Sequence, residues 1–404
     1  MGSLGASEKS ANGGRPPGKI EAPLSKKLED AEWGEVTLGE LFDIKSTSSF
    51  NADMLVPGNE YDYVTRTSLN QGILQTTGFV NNENINPAGT WSLGLLQMDF
   101  FYRRKPWYAG QFVRKITPKI ELSPSAVLFF STLLNKQKSR LLSVLVRDVN
   151  DVFLKIKIKV PKKDCKIDFD FMESLVAELE AQRVAELTAY LTVSGYDNYK
   201  LSSEELDALQ CFRTLGDSDW GTYKIGNLFE RVRTEKLPYK AKELPKQPTD
   251  DCVLPCLTSS FQNQGLNYYA PKAGATVLSN VISIPSNSDV YRAYYQSRDF
   301  TVLSDAYAIR WKGEIKLSPN QYLFMVMCIN KVTDLPVYSY KNKLGGWNTV
   351  KEESIRLPEK NGRIDFDLME TFISAVKKLA IKDVVLYSDR KIAATKKVVS
   401  KAGQ

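Results

Sequence analysis

The sequence predicts an α+β protein made of two repeated modules that are separated by long paired helices. The prediction rests on an octapeptide that occurs twice, on three further matches in the same order, and on an apolar helix pattern after each copy. KIDFDFME occupies residues 166–173 and RIDFDLME occupies residues 363–370, with six of eight positions identical. Such a match arises by chance in roughly one of ten chains of this length, so alone it is weak.

The three further matches indicate a tandem duplication. WGEVTLGELF is followed by WGTYKIGNLF at an offset of 187 residues, and the two Asn-Gln-Gly triplets are 193 apart. The two Leu-Ser-Pro triplets are 195 apart, and the octapeptides are 197 apart. Collinear matches separated only by small insertions are typical of internal repeats.

The elements of each module follow in the same order. Apolar runs broken by Gly, Asn and Pro predict strands, among them YDYVTRTSL, LGLLQMDFFY, VLPCLTSS, VISIPS and DAYAIRW. An apolar helix pattern follows each Leu-Ser-Pro, in AVLFFSTLLNK and in QYLFMVMCINK. The first 28 residues have neither pattern and predict a flexible tail or a cloning remnant.

The octapeptides are predicted to start helices. Asp170 and Glu173, like Asp367 and Glu370, stand three apart just before helical periodicity. We expect the Asp to accept an exposed N–H and the Glu to reach back, as in a capping box. The alternative is a catalytic pair of Asp168 and Asp170.

Each predicted helix carries an apolar stripe, which favours pairing of the two helices. The first stops near Ser194-Gly195, and residues 190–208 then predict a turn and a short helix. The second has about 36 residues and a length of about 55 Å. The stripes are Phe171, Leu175, Leu179, Leu187 and Leu191 in the first helix, and Phe366, Met369, Phe372, Val376, Leu379 and Val384 in the second.

These boundaries divide the chain into five parts. The predicted parts are a tail (1–28), a first module (29–163), a first helical region (164–215), a second module (216–360) and a second helical region (361–404).

Composition excludes several kinds of chemistry. The chain has no histidine, which excludes Ser-His, Cys-His and His-metal sites. Its five scattered cysteines suit reduced thiols in a cytoplasm, and only Cys252 and Cys256 are close, so no zinc site is expected. GGRPPGK at 13–19 has phosphate-loop spacing, but Ile20 replaces the required Ser or Thr. No apolar run approaches the ~18 residues of a membrane span, and no catalytic motif is found.

A net charge of +7 suits a polyanionic partner. One stretch in each module interleaves basic and aromatic residues, at 100–112 and at 290–300, and the Asn-Gln turns add amide groups. Arg and Lys neutralise phosphates, while Arg, Asn and Gln match base edges in the major groove. The alternative is that the aromatics are scaffold and that Asn-Gln-Gly is an ordinary turn. The candidate DNA-binding residues are Arg66, Thr67, Asn70, Gln71, Arg103, Arg104, Lys105, Tyr108, Gln111, Thr258, Gln262, Asn263, Gln264, Arg292, Tyr295 and Arg298.

From residue 33 to about 400, the layout resembles the DNA specificity subunits of type I restriction-modification systems and their type IIB-like relatives. YVTRTSLNQGI is similar to the start of a target recognition domain, and IKIKVP and SIRLP are similar to its end. The resemblance implies that each module is such a domain and binds one half of a bipartite, asymmetric DNA target. It also implies that the helices set the spacing and dock methyltransferase subunits. The break after the first helix is more like subunits that pair with a fused nuclease-methyltransferase polypeptide.

The expected function is therefore a non-catalytic, cytoplasmic DNA-reading subunit that binds double-stranded DNA and a methyltransferase partner. No cofactor is expected on this chain; S-adenosylmethionine, and Mg for cleavage, are expected on the partner subunits. Two alternatives stay open, namely a duplicated adaptor for protein or RNA and a hydrolase that uses Asp168 and Asp170.

Overall fold

The computed structural model describes the backbone of residues 22–339 and 341–402 and the side chains of residues 24–339 and 341–394. Two compact units are found, one from the described parts of Met1–Leu187 and Thr395–Gln404 and the other from Thr188–Ala394. Each contains mixed helices and strands, which confirms the predicted α+β class.

The first elements run from α1 to α6. In chain order they are α1 (Ala22–Asp30), β1 (Trp33–Thr37), α2 (Leu38–Leu41), β2 (Phe42–Ser46), β3 (Tyr61–Val64), β4 (Ile73–Thr77), β5 (Thr90–Gly94), β6 (Asp99–Arg103), β7 (Trp107–Ala109), β8 (Val113–Pro118), α3 (Pro124–Asn135), α4 (Lys138–Leu142), α5 (Val149–Lys155), β9 (Lys157–Lys163), β10 (Lys166–Ile167) and α6 (Phe169–Val193).

The remaining elements repeat most of this order. They are α7 (Ser203–Thr214), β11 (Trp220–Lys224), α8 (Ile225–Leu228), β12 (Phe229–Arg231), β13 (Leu254–Leu257), β14 (Leu266–Ala270), β15 (Val281–Pro285), β16 (Tyr294–Gln296), β17 (Thr301–Val302), β18 (Ala306–Trp311), α9 (Pro319–Thr333), α10 (Trp347–Val350), β19 (Ser354–Lys360), β20 (Arg363–Ile364) and α11 (Phe366–Ala402).

Strand order confirms the duplication. The four-stranded sheet β2-β8-β5-β6 recurs as β12-β18-β15-β16, and the three-stranded sheet β4-β3-β7 recurs as β14-β13-β17. In both three-stranded sheets the middle strand has one antiparallel and one parallel neighbour. Two copies of one topology are therefore present in the chain.

The first strand of each module pairs with the last long one. β1 pairs antiparallel with β9 in a register that sets Trp33 opposite Pro161. β11 pairs with β19 in the same way and sets Trp220 opposite Pro358. This pairing brings the two ends of each module side by side, next to the start of α6 or α11.

Aromatic rings fill the core between each four-stranded sheet and the helix that follows it. In the first unit Phe42 contacts Trp91 and Phe130 edge to face, with ring centroids 5.7 and 5.6 Å apart. In the second unit Phe229 contacts Trp311 in the same way at 5.6 Å. Edge-to-face pairs of this kind add to the stabilisation from burial.

The repeated Leu-Ser-Pro triplet begins a helix in both units, as predicted. The hydroxyl of Ser123 accepts a hydrogen bond from the N–H of Ala126 at 3.3 Å, and that of Ser318 accepts one from Gln321 at 3.1 Å. The following proline occupies the first helical turn, where a missing N–H costs nothing.

The octapeptides also begin helices, but our assignment of the capping residues was wrong. Oδ1 of Asp168 accepts from the N–H of Phe171 at 2.8 Å, and Oδ1 of Asp365 accepts from that of Leu368 at 2.9 Å. The capping residues are therefore the aspartates two positions before Asp170 and Asp367, because each helix starts one residue earlier than Asp170 or Asp367. Those two lie in the first turn, where a negative charge favours the helix dipole.

Glu370 does not reach back as predicted. It accepts hydrogen bonds from Ser318 Oγ and from Asn320 Nδ2, and so joins the start of α9 to α11.

The predicted helix lengths are confirmed, with 37 residues in α11 and an end at Val193 for α6. After a left-handed Gly195, α7 supplies the predicted short helix. Within the second unit the hydroxyls of Thr188 and Ser388 are hydrogen-bonded at 2.8 Å, so the end of α6 contacts α11.

The predicted stripe of α11 was wrong in part. Val376, Leu379 and Val384 are 37 to 49% exposed, whereas Ile373 and Val385 are buried. The apolar residues of α11 occupy more than one face, and composition alone did not identify which face packs.

The predicted tail is wrong for residues 22–28, which belong to α1. There Leu24 is buried, and Lys27 forms an ion pair with Glu178 of α6. Residues 1–21, which include the phosphate-loop-like GGRPPGK, lie outside the described residues.

The cap at Asp168 gives a testable prediction. Asp168→Ala should speed hydrogen exchange of the Phe171 amide about fivefold, because loss of an N-cap costs about 1 kcal/mol. Asp168→Asn should keep most of the protection, since Asn is an equally good cap. Asp170→Ala is the matched control, and a larger effect there than at Asp168 would refute the capping assignment.

Candidate nucleic-acid interface

Two loops with the same backbone follow β3 and β13. We name them the first NQG loop, residues 65–73, and the second NQG loop, residues 258–266. In both, the Asn and the Gln lie in the left-handed region, which residues other than glycine seldom adopt. Such strain persists only where the surroundings enforce it, and it is often found at functional sites. The φ angles are 46° for Asn70, 55° for Gln71, 47° for Asn263 and 53° for Gln264.

The same hydrogen bonds close both loops. The N–H of the opening threonine donates to the glycine carbonyl, and the asparagine side chain donates to the carbonyl three residues further on. The lengths are 2.8 and 3.2 Å in the first loop (Thr65 to Gly72, Asn70 to Ile73) and 2.9 and 3.3 Å in the second (Thr258 to Gly265, Asn263 to Leu266). The amide nitrogens of the two asparagines are thus engaged within their loops, whereas Gln71 and Gln264 are exposed.

Each loop rests on a side chain from a strand beneath it. In the first unit Arg103 donates to the Gln71 carbonyl at 2.5 Å and to Ser92 Oγ at 2.6 and 2.9 Å. Arg103 is only 2% exposed, so it supports the loop from below.

The second unit places a neutral amide where the first has Arg103. Gln296 Nε2 donates to the Gln264 carbonyl at 3.3 Å and to Ser283 Oγ at 3.0 Å. The geometry is repeated while the charge is not.

Burial lowers the pKa of Arg103 to about 10, and the charge of Asp62 opposes that effect. The guanidinium therefore stays protonated near neutral pH. A fixed positive charge beneath the first NQG loop favours anions at the surface of that loop.

Two glycines allow the first loop to pack this closely. A Cβ on Gly94 would lie 2.9 Å from Cα of Arg66, so only glycine lets that segment cross β5. Gly72 has a φ of +80°, and a Cβ there would lie 3.3 Å from Nη2 of Arg103.

An open cleft of about 600 Å³ lies beside the first NQG loop. Three of the predicted contact residues, Arg66, Thr67 and Gln111, line it together. The guanidinium of Arg66 lies 5.2 Å from the centroid of the exposed Phe112 ring, which holds the cation at the rim. Sequence reasoning missed two further lining residues, Asn51 and Gln97, because they come from loops distant in the chain.

The remaining candidates of the first unit have different environments. Arg104 is exposed. Lys105 forms an ion pair with Asp62 at 2.8 Å. Tyr108 is fully buried, and its hydroxyl donates to the Asn81 carbonyl at 2.9 Å. No measurement here tests their contact with DNA, so their roles stay predictions.

The structure does not bring all the candidates of the second unit together. Gln262 and Arg298 are exposed. Nε of Arg292 donates to Asp334 at 2.6 Å, and this hydrogen bond raises the pKa of Arg292. The ring of Tyr295 stacks on Tyr322 with centroids 4.8 Å apart. Thr258 corresponds to Thr65 of the first loop, not to Thr67, as the offset of 193 requires.

The supports beneath the loops could have been recognised from the sequence. Arg103 and Gln296 are 193 residues apart, the same offset as the two Asn-Gln-Gly triplets. That offset pairs an arginine with a glutamine, which hides the equivalence from a search for identical residues.

Within the described part of the chain, no three His, Cys, Asp or Glu side chains are grouped as they would be to hold a metal ion. None of the described helices is both long and apolar enough to cross a bilayer.

Comparison with solved structures shows the fold. The S subunit of a type I restriction-modification system from M. genitalium aligns over 92% of this chain and 95% of its own, with a TM-score of 0.52 and 13% identity. The HsdS subunit from Thermoanaerobacter tengcongensis aligns over 89% of this chain and 91% of its own, with a TM-score of 0.29 and 12% identity. No curated protein gives a significant match.

The family model described as "Type I restriction modification DNA specificity domain" matches the chain twice, at residues 30–189 and 217–386. The two matches coincide with the two copies of the strand order and cover most of the sequence. The chain therefore belongs to the type I restriction-modification DNA specificity family.

Proposed function

We propose that this protein is the DNA-reading subunit of a restriction-modification complex and that each module binds one half of a bipartite, asymmetric target. One observation carries the proposal: both modules hold a strained Asn-Gln-Gly loop in the same backbone conformation, with an exposed glutamine at its tip. A glutamine amide offers a donor and an acceptor that match adenine in the major groove.

The surroundings of the two loops favour two different half-sites. An arginine supports the first loop and a glutamine supports the second. The first loop borders a cleft with Arg66 and Gln111, while the equivalent tip in the second unit carries Gln262 beside the exposed Phe261. The same scaffold with different side chains suits the reading of unlike sequences.

The helices α6 and α11 are proposed to dock methyltransferase subunits, separate or fused to a nuclease. Exposed apolar side chains on these helices, including Tyr190, Val193 and Leu379, offer a surface for such contacts. Adenine methylation by base flipping, with S-adenosylmethionine and Mg, is assigned to the partner in the cytoplasm.

The hydrolase alternative has little geometric support. Asp168 is engaged by the first turn of α6. The duplicated Asp365 caps α11 in the same manner. A capping role explains why the sequence occurs twice without any reaction.

A module exchange tests the function. Replacing residues 225–353, from the end of β11 to the start of β19, with the matching segment of a relative should change one half of the methylated motif. The readout is single-molecule sequencing of modified adenines in cells that carry the protein and its methyltransferase partner. The matched exchange of residues 38–156 should change the other half only. If either exchange alters both halves, or neither exchange alters the motif, the division between modules is wrong.

Substitution at Arg103 tests the loop. Arg103→Ala should lower both the thermal stability and the affinity for target DNA, because it leaves the buried Ser92 hydroxyl without its partner at a cost of about 1–3 kcal/mol. Arg103→Gln should restore most of the stability, since Gln296 holds the second loop through the same contacts. Melting curves and fluorescence anisotropy measure the two effects. Equal stability of the two variants would show that the loop does not depend on this support.

A further inference from the structure

The segment that leaves β12 is strongly basic. Residues 231–246 contain six Lys or Arg and two Glu, so the net charge is 6 − 2 = +4. At the offset of 187 that relates the starts of the two modules, the equivalent residues 44–59 contain one Lys and one Asp, for a net charge of zero. One module therefore carries a cationic segment that its copy lacks.

The cations of this segment are available to a partner. All six are exposed, namely Arg231, Arg233, Lys236, Lys240, Lys242 and Lys246. None forms an ion pair with a carboxylate among the side chains that the structure describes. By contrast, Arg292, which the sequence favoured, is paired with Asp334. We name the six residues the β12 basic cluster.

The segment is anchored, so the cations project from a fixed scaffold. Leu237 and Leu244 are buried in a small apolar cluster with Leu303. The Pro245 carbonyl accepts from the N–H of Tyr269 at 2.9 Å. Glu243 accepts from the N–H of Lys240 at 2.8 Å and so caps the turn within the segment.

The cluster borders a cleft of about 260 Å³ that Arg231, Thr234, Lys236, Tyr239 and Ser304 help to line. Its position corresponds to that of the first-unit cleft. Both lie between the loop after the edge strand of the four-stranded sheet, β2 or β12, and the residues after the parallel strand, β7 or β17. The guanidinium of Arg231 lies 5.5 Å from the centroid of the Tyr307 ring, which fixes it at the floor.

We propose that the β12 basic cluster binds the phosphate backbone of duplex DNA and anchors the second module, an inference that rests on the proposed function. The first module, whose cleft has Asn51, Gln97 and Gln111 with Arg66 at the rim, depends less on phosphate contacts. Each neutralised phosphate releases counterions, so the cluster makes affinity salt-dependent without reading sequence.

The test is the salt dependence of DNA binding by the full chain. A labelled mixed-sequence duplex of about 40 base pairs is titrated between about 50 and 300 mM KCl, and the logarithm of the binding constant is plotted against that of the salt concentration. The variant Lys236→Gln/Lys240→Gln/Lys242→Gln should reduce the slope by about 2 to 3, since each phosphate contact contributes about 0.9.

The matched control neutralises three other exposed lysines of the second unit, with the changes Lys331→Gln/Lys341→Gln/Lys360→Gln. It removes the same charge and should change the slope by less than about 1. Equal slopes for the two triple variants would overturn the inference and leave the proposed function intact. Tighter binding of a single-stranded RNA than of the duplex would also overturn it. Failure of the unchanged protein to bind the duplex at low salt would count against the proposed function itself.

Discussion

The antiparallel clasp between the first and last long strands of each module is the constraint on which the rest depends. β1 meets β9, and β11 meets β19, across more than a hundred residues and in one register. Closing so long a connection costs chain entropy, which the ladder hydrogen bonds and the aromatic core offset. Because the clasp places both ends of a module beside the start of a long helix, the residues between the ends are free to diverge. A duplicated gene with this geometry can change what each module binds without disturbing its helices.

The NQG loops show how far that divergence can proceed while a backbone is conserved. Two consecutive left-handed residues are costly, and each loop meets the cost through a closing threonine, an asparagine that bonds its own backbone, and a donor from the strand beneath. The donor is charged in one copy and neutral in the other. Both satisfy the same carbonyl, since a guanidinium and a carboxamide present equivalent N–H groups. The loops thus keep their shape while the electrostatic potential at their surfaces differs.

Charge is distributed between the modules in a compensating way. The buried arginine lies beneath the first loop, whereas the surface cations of the second unit are concentrated in the β12 basic cluster. An arginine held in a low-dielectric site acts over short range and helps to orient a contact. Exposed lysines on an anchored segment act through counterion release instead. One module is thus better suited to orientation and the other to affinity, although both descend from one sequence.

The sequence by itself determined the duplication, the α+β class, the Leu-Ser-Pro helix starts and the lengths of α6 and α11, because those features depend on local periodicity and on spacing along the chain. Local patterns also indicated that the octapeptides begin helices, although the capping aspartate is Asp168 and not Asp170. The tertiary structure alone decided which candidates share a surface. Arg103 and Tyr108 are buried by strands that sequence separation concealed, and Arg292 is paired with a distant Asp334. Burial and pairing depend on which residues the sheets bring together across tens of positions, and no pattern within one segment carries that information.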